Sequence, residues 1–296
     1  TLTLDATVSI GENGIVSDSL ETLTLSGDVE TIAAKAILCP SLKKVTINGD
    51  LVGCATSAFG HRGDDTLPDT VVVNNCFSAD VYDMFEEFLD YVGEVTFTDT
   101  VKQIVFKKYV EPAEIFTEDV YQYYINEKGE AVIYKYTGKH KGPVHLFVPE
   151  TLGGAPVTVI GRRAFEDLES DFEFIYLPDT VTRIENNAFA GSKKISTIRI
   201  SPNLESIGHR AFCGAEGLWA VGPYNSFDDT EGGDLILSDA ITYIPTEAFK
   251  DCPYITQIQA NGVIAVLDGA FRQSRGNNRY FSETFSEDFY WVGDGA

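Results

Sequence analysis

The 296-residue sequence predicts a β-rich solenoid, low in helix, in which short parallel strands and one-turn helices stack coil upon coil. Three observations support this fold class. A segment of the form Ile-x-x-x-Ala-Phe recurs, a Leu-x-x-Ile-x-Ile pattern precedes it, and adjacent copies of the Phe lie 22 to 24 residues apart. Self-similarity at a fixed period of about 20–50 residues is the signature of repeat architectures.

The repeat occurs in about eight copies, of which five keep the full Ile/Val-x-x-x-Ala-Phe segment and three have diverged from it. The clear copies end at Phe165, Phe189, Phe212, Phe249 and Phe271, and the diverged copies place Ile37, Phe59 and Tyr109 in the Phe position. Larger steps, such as the one from Phe212 to Phe249, indicate insertions between units.

The spacing within a unit predicts its local structure. Leu-x-x-Ile-x-Ile is typical of a short strand whose inward and outward side chains alternate. The stretch that ends in Ala-Phe fits one helical or 3₁₀ turn, which places the Phe ring in the core. A unit of roughly 23 residues cannot bury its own apolar edge, so we expect successive units to share one continuous core.

Two solenoid blocks are predicted. The first covers 1–115 and carries a helical insertion near 78–92, with Val81, Phe85, Phe88, Leu89 and Val92 on one apolar face. A third repeat unit is expected to follow this insertion and to end at Tyr109. The second block covers 116–296 and opens with a β-hairpin near 121–137, which would cap the exposed end of the stack.

Composition limits the classes of partner. A formal net charge of −23 disfavours nucleic acid and anionic membrane surfaces, because both repel an acidic protein. No apolar run reaches the roughly 18 residues that a bilayer span needs, so membrane insertion is not expected. The five scattered cysteines predict buried free thiols. The chain begins at Thr1 without a leader, so we expect any targeting segment to lie outside it.

Catalytic and cofactor motifs are not found, and the sequence predicts a protein that is not an enzyme and has no cofactor or metal. The four histidines lack metal-ligand spacing, and His209, at a variable repeat position, is expected at the surface. The acidic segment 227–234 could wrap Ca²⁺, but its spacing matches no EF-hand. A solvated loop is the favoured interpretation, and calcium binding stays open.

The motifs resemble those of the BspA-like leucine-rich repeat family. The resemblance rests on Ile-Gly-x-x-Ala-Phe and on Leu-Pro-Asp-Thr-Val-Thr-Arg-Ile at 177–184, with a similar lead-in at 136–160. It is specific from about 131 to 271 and looser from about 20 to 110. It implies a leucine-rich-repeat solenoid from a secreted or surface-attached bacterial protein, with roles in adhesion and protein binding. No catalytic residues come with it.

Outward residues of the repeat strands form the candidate binding face, because parallel strands align them in columns. Phe174, Tyr176, Arg199 and Trp219 are the candidate binding residues, since binding surfaces are enriched in aromatic side chains and Arg. The alternative is that another segment covers these aromatics. Arg62-Gly63-Asp64, the tripeptide that integrins recognise on exposed loops, is a second candidate.

Protein–protein or host-adhesion binding is therefore the predicted function. Carbohydrate binding, with Tyr176 and Trp219 stacked on sugar rings, and a structural spacer are the alternatives. The sequence leaves the identity of the protein or glycan ligand undetermined.

Overall fold

The computed structural model describes residues 1–55, 57–60, 67–87, 90–97, 102–140, 142, 144–223, 233–274, 282–285 and 290–291. It divides into two compact units, Thr1–Glu111 and Pro112–Ala296. Both are built from stacked coils of short strands, which confirms the predicted β-solenoid.

Unit 1 contains ten strands and one short helical segment in the described residues. The strands are β1 (Leu2–Leu4), β2 (Val8–Ile10), β3 (Ile15–Val16), β4 (Thr22–Leu25), β5 (Val29–Ile32), β6 (Ile37–Leu38), β7 (Lys44–Ile47), β8 (Thr70–Asn74), β9 (Tyr91–Phe97) and β10 (Lys102–Lys108). They form a six-stranded sheet of order β1-β4-β7-β8-β10-β9 and the pairs β2-β5 and β3-β6.

The end of unit 1 differs from the predicted repeat. β1, β4, β7 and β8 pair in parallel, as stacked coils require, but β10 pairs antiparallel with both β8 and β9. β9 and β10 therefore do not stack as successive parallel coils, and the prediction of a third repeat unit from 92 to 109 is wrong. Alternation of apolar side chains is the same in parallel and antiparallel strands, so the pattern alone did not separate the two.

The helical insertion is shorter than predicted. α1 (Ala79–Tyr82) continues as a π-helical turn at Asp83–Glu87, and Phe85 is buried against Phe106 with ring centroids 4.7 Å apart. Val92 lies in β9 instead of on the helix face, so that part of the prediction is wrong. The side chains of Phe88 and Leu89 lie outside the described residues.

Unit 2 contains seventeen strands in the described residues. They are β11 (Phe116–Glu118), β12 (Tyr121–Ile125), β13 (Ala131–Tyr136), β14 (Val144–Phe147), β15 (Thr151–Leu152), β16 (Ala155–Ile160), β17 (Phe172–Tyr176), β18 (Arg183–Ile184), β19 (Ile195–Arg199), β20 (Ser206–Ile207), β21 (Ala220–Gly222), β22 (Gly233–Ile236), β23 (Tyr243–Ile244), β24 (Ile255–Ala260), β25 (Ala265–Val266), β26 (Ser282–Phe285) and β27 (Tyr290–Trp291).

Three sheets organise the described part of unit 2. One has the order β11-β12-β13-β16-β18-β20, with β15 attached to β16, and another has the order β23-β25-β27. The third, which we call the front sheet, has the order β14-β17-β19-β21-β22-β24-β26, and its strands pair in parallel throughout. β12 and β13 form an antiparallel hairpin at the start of the stack, and β13 pairs in parallel with β16.

The Phe residues of the repeat form a continuous buried ladder, as predicted. The rings of Phe165, Phe189, Phe212, Phe249 and Phe271 are fully buried, and neighbouring centroids lie 5.0 to 5.6 Å apart with nearly parallel planes. Tyr136 from the hairpin stacks on Phe165 at 5.3 Å and so closes one end of the ladder. The apolar core of unit 2 is therefore one body.

Tight turns, rather than regular helices, place the Phe rings. The N–H of Ala164 donates to the carbonyl of Gly161, and the residue before Ala has positive φ, as at Arg163 (57°) and Arg210 (51°). This left-handed residue interrupts helical geometry. The N–H of Phe165 then donates to the Ala188 carbonyl of the next coil, so the turns are bonded along the stack.

β21 is an extra strand of the front sheet. β19 and β20 lead to Phe212, and β22 and β23 lead to Phe249, whereas β21 pairs between β19 and β22. The long step from Phe212 to Phe249 therefore adds one strand to the front sheet, and the two rings still stack at 5.0 Å.

Candidate binding surface

The outward face of the front sheet begins at β14, which was not predicted as a strand. Its register aligns His145 with Phe174 of β17 and Thr197 of β19. The same register aligns Phe147 with Tyr176 and Arg199. Parallel pairing thus brings side chains from positions up to 54 residues apart into two neighbouring columns.

The rings of these columns pack on one another and form what we call the aromatic patch: His145, Phe147, Phe174, Tyr176 and Arg199. Phe147 and Tyr176 stack with centroids 4.4 Å apart and planes within 5°. The His145 ring meets the edge of Phe174 at 4.8 Å, and Phe174 lies 5.9 Å from Tyr176. Four aromatic rings therefore form one contiguous surface.

The aromatic patch is open to solvent at the β14 end. Phe147 is 66% exposed, the largest fraction for any aromatic residue whose burial is described. Phe174, Tyr176 and Arg199 are half-buried. Further along the same face Thr197, Ala220 and Gly222 are buried, so the exposed area ends near β19.

Charged groups lie within and beside the aromatic patch. The Arg199 guanidinium carbon lies 5.8 Å from the centroid of Phe174, within the range of a cation–π contact. His145 Nε2 is 3.3 Å from Glu173 Oε2, and both side chains are about half exposed. A pair this exposed contributes about 0–1 kcal/mol to stability, so the His145 and Glu173 side chains remain accessible to a partner.

Trp219 lies apart from the aromatic patch. It precedes β21, its N–H donates to the Ser196 carbonyl, and its register position matches Ser196 and Glu173 rather than Phe174 or Tyr176. Its side chain is half-buried. The structure therefore brings Phe174, Tyr176 and Arg199 together and places Trp219 in the adjoining column.

Two loop candidates fall in other parts of the chain. Arg62, Gly63 and Asp64 lie outside the described residues, as do 227–232 of the acidic segment. Both stay predictions.

A sequence signal for β14 was present and missed. Leu146-Phe147-Val148-Pro149-Glu150-Thr151 matches Ile175-Tyr176-Leu177-Pro178-Asp179-Thr180 in residue class at every position. The match places Phe147 directly beside Tyr176, as the structure does. It was missed because His145 replaces an apolar residue and the upstream part of the strand pattern is absent.

His209 is buried, so its predicted surface position is wrong. Its backbone N–H donates to Asn186 Oδ1 at 2.9 Å, and Nδ1 lies 2.8 Å from the Thr246 carbonyl of the next coil. Burial, reinforced by the nearby Arg210 guanidinium, lowers the pKa of His209 well below its ordinary value. The neutral imidazole is a structural link between coils.

A second polar feature of the core is Glu247, whose side chain is only 1% exposed. Its carboxylate lies 2.5 Å from Arg210 Nε, 2.9 Å from Lys250 Nζ and 3.4 Å from Arg272 Nη1. Burial raises the pKa of Glu247, but hydrogen bonds from Lys250 and Arg210 outweigh it, and the net effect is a lowered pKa. The cluster bridges three successive turns.

Sites for small ligands are sparse in the described residues. No group of three or more His, Cys, Asp or Glu side chains there could hold a metal ion. A cavity of about 220 Å³ lies between Leu51–Cys54 and Asp80–Met84, and it is smaller than the roughly 300–1,000 Å³ usual for ligand pockets.

No helix in the described part of the chain has the length and apolarity needed to cross a membrane. All five cysteines are free thiols, as predicted. Cys39 and Cys252 are buried, but Cys54, Cys76 and Cys213 are half-buried, so the predicted burial is wrong for these three.

The model of the BspA type leucine rich repeat region matches the chain in six copies, over residues 2–66, 158–221 and 219–287. The chain belongs to the BspA-type leucine-rich repeat family. Leucine-rich repeat proteins of this family are typically binding or structural modules without enzymatic activity. A comparison with curated protein sequences gave no match.

Solved structures similar to this BspA-type chain are also leucine-rich repeat proteins. A leucine rich cell surface protein from Faecalibacterium prausnitzii shares 22% identity at a TM-score of 0.44, over 62% of this chain and 52% of that one. The T. pallidum leucine rich repeat protein shares 23% identity at a TM-score of 0.43, and the match covers 61% of this chain and 82% of that one. A Bacteroides ovatus leucine-rich repeat protein shares 20% identity at a TM-score of 0.39, and the match covers 61% of this chain and 56% of that one. The chain thus spans about half of the first and third.

Proposed function

We propose that this BspA-type chain is a non-enzymatic binding module of a secreted or cell-surface bacterial protein, and that the aromatic patch contacts a protein partner. The observation that carries the proposal is Phe147, 66% exposed and stacked on Tyr176 on a strand face. Solvent exposure of that ring contributes nothing to folding. Family membership supports the surface location.

The composition of the aromatic patch favours a protein partner. Clustered aromatic rings beside an Arg are what protein interfaces concentrate at their most energetic positions. Trp219 and Glu173, in the adjoining column, would form the rim of the same interface. Arg62-Gly63-Asp64 stays a second proposed contact, in unit 1.

Binding measurements on patch variants test the proposal. We expect purified wild-type protein to bind at least one member of an array of extracellular proteins in surface plasmon resonance. Phe147→Ala and Tyr176→Ala should weaken that binding by about 2 kcal/mol or more, and Trp219→Ala by less. Tyr254→Ala, which removes a ring that is 54% exposed elsewhere in unit 2, is the matched control and should bind like wild type.

The alternatives give different results in the same experiment. A glycan ligand would be detected on a glycan array run in parallel, with loss of binding in Tyr176→Ala and Trp219→Ala. A structural spacer would bind neither array. Protein binding that survives Phe147→Ala and Tyr176→Ala unchanged would refute the assignment of the aromatic patch.

A further inference from the structure

β14 is the terminal strand of the front sheet, and it pairs with β17 alone in the described part of the chain. The N–H of Val144 donates to Asp171 and the N–H of Val148 donates to Tyr176. Backbone groups alternate in direction along a strand, so Leu146 also faces β17, and His145 and Phe147 turn theirs away from it. Of these outward groups, the Phe147 carbonyl accepts a bond from the Tyr121 hydroxyl at 3.5 Å.

The edge lacks the charged side chains and prolines that often block strand pairing. Natural edge strands are kept very short or carry Lys, Pro, inward charges or bulges to prevent association. β14 has four residues and its pairing with β17 has a register shift between Val144 and His145, but Val144-His145-Leu146-Phe147 contains no Lys, Pro or carboxylate. It presents the His145 and Phe147 side chains on its solvent face. The same residues that open the backbone edge also carry the most exposed part of the aromatic patch.

We propose that a partner protein adds an extended peptide strand to the free edge of β14, next to the aromatic patch. This inference rests on the proposed function and specifies its mode. The added strand exchanges main-chain hydrogen bonds with His145 and the N–H of Phe147, and its alternate side chains pack against the His145 and Phe147 rings. Main-chain bonds supply affinity in this mode, and alternate side-chain contacts supply specificity.

The negative charge around β14 favours a basic peptide. Glu150, Asp171 and Glu173 are exposed around β14, and the whole chain has a net charge of −23. A second copy of this chain would bring the same charge to the edge and be repelled. A peptide with Lys or Arg flanking alternate apolar or aromatic residues is complementary, and its binding should weaken as salt rises.

Paired substitutions distinguish the contribution of the backbone edge to binding from the contribution of the aromatic side chains. Proline is tolerated on edge strands where the N–H faces solvent, so His145→Pro should fold while losing one outward donor. His145→Ala removes the ring and keeps the donor. Phe147→Pro and Phe147→Ala form a second pair, and melting temperatures check that each variant folds. The probe is a peptide selected on the wild-type protein from a phage-displayed random library.

We expect selected peptides to be basic and to alternate apolar with polar residues. Each Pro variant should bind about tenfold more weakly than its Ala counterpart, the effect of one lost hydrogen bond and an unpaired peptide carbonyl. Hydrogen exchange across 144–147 should slow when the peptide binds.

Strand addition would be overturned if, at both positions, the Pro variant bound the peptide as tightly as the Ala variant, or if the library yielded no peptide. If Phe147→Ala still weakens binding of array proteins in that case, the aromatic patch stands as a face-on contact. If Phe147→Ala leaves their binding unchanged, the proposed function itself fails. A concentration-dependent dimer that His145→Pro abolishes would assign the edge to a second copy and overturn the peptide partner.

Discussion

Replacing Phe189 by Ala tests the ladder that holds unit 2 together. Phe189 is fully buried and stacks on Phe165 at 5.0 Å and on Phe212 at 5.4 Å. Truncation of a buried Phe costs about 3–5 kcal/mol, and each aromatic pair adds about 0.5–1.5 kcal/mol beyond burial. Because Phe189 has a ring on both sides, we expect the upper part of the range, about 4–5 kcal/mol.

Urea unfolding followed by circular dichroism measures this loss. For a unit of this size each kcal/mol lowers the melting temperature by roughly 2–4 °C, so Phe189→Ala should lower it by roughly 8–20 °C. Phe189→Leu keeps most of the volume but loses both ring contacts, and should cost about 1–2 kcal/mol. Tyr254→Ala, on the surface, should cost less than about 0.5 kcal/mol.

The result that would refute the reasoning is a Phe189→Ala variant no less stable than Phe189→Leu. It would mean that neighbouring coils move together to fill the space left by the missing ring, and that ring stacking in the ladder does not stabilise one coil against the next.

The remaining predictions concern charge, thiols and the division of the chain. Because the folded-state pKa of His209 lies below its unfolded value, stability should fall as pH drops below about 6.5, by at most about 1.4 kcal/mol per pH unit. Urea midpoints should show that loss in wild type and in the exposed control His145→Asn, but not in His209→Asn. Glu247→Ala should lower the free energy of unfolding by about 3 kcal/mol in thermal unfolding, because it leaves Arg210 and Lys250 without their buried carboxylate. As a control, removing the exposed Glu216, which pairs with Lys193, should lower it by less than about 1 kcal/mol. Thiol titration in denaturant without reductant should find five free cysteines, and a count of three or one would contradict the free thiols. We also propose the blocks 1–115 and 116–296 as separate domains, so a fragment covering 116–296 should unfold cooperatively by itself, and a fragment that stays unfolded would refute the boundary.

The sequence predicted what depends on periodicity. The Ala-Phe positions determined the ladder, and the strand pattern placed Phe174, Tyr176 and Arg199 in adjacent positions. Both follow from a repeat whose neighbours are fixed by stacking, so residue spacing translates directly into spatial contact.

What the sequence did not predict depends on chain direction and on contacts between coils. Parallel and antiparallel strands share one alternation, so the same pattern predicts a repeat coil where β9 and β10 in fact pair antiparallel. His209 was placed at the surface because its position varies between repeats, yet the Thr246 carbonyl of the next coil satisfies its ring nitrogen. β14 was missed because a strand of four residues with a His at an outward position carries little periodic signal.

The extra strand β21 has a mechanical consequence. A strand occupies about 4.8 Å of height along a stack, and β21 adds that height to the front sheet while Phe212 and Phe249 stay 5.0 Å apart behind it. We expect this surplus to act as a wedge that spreads the coils at the front sheet while they stay in contact at the rings. β20 and β23 fall in different sheets at this level. The extra strand should therefore concentrate curvature at one level of unit 2. Moving such a wedge along a solenoid would relocate its bend without changing a residue of any complete coil.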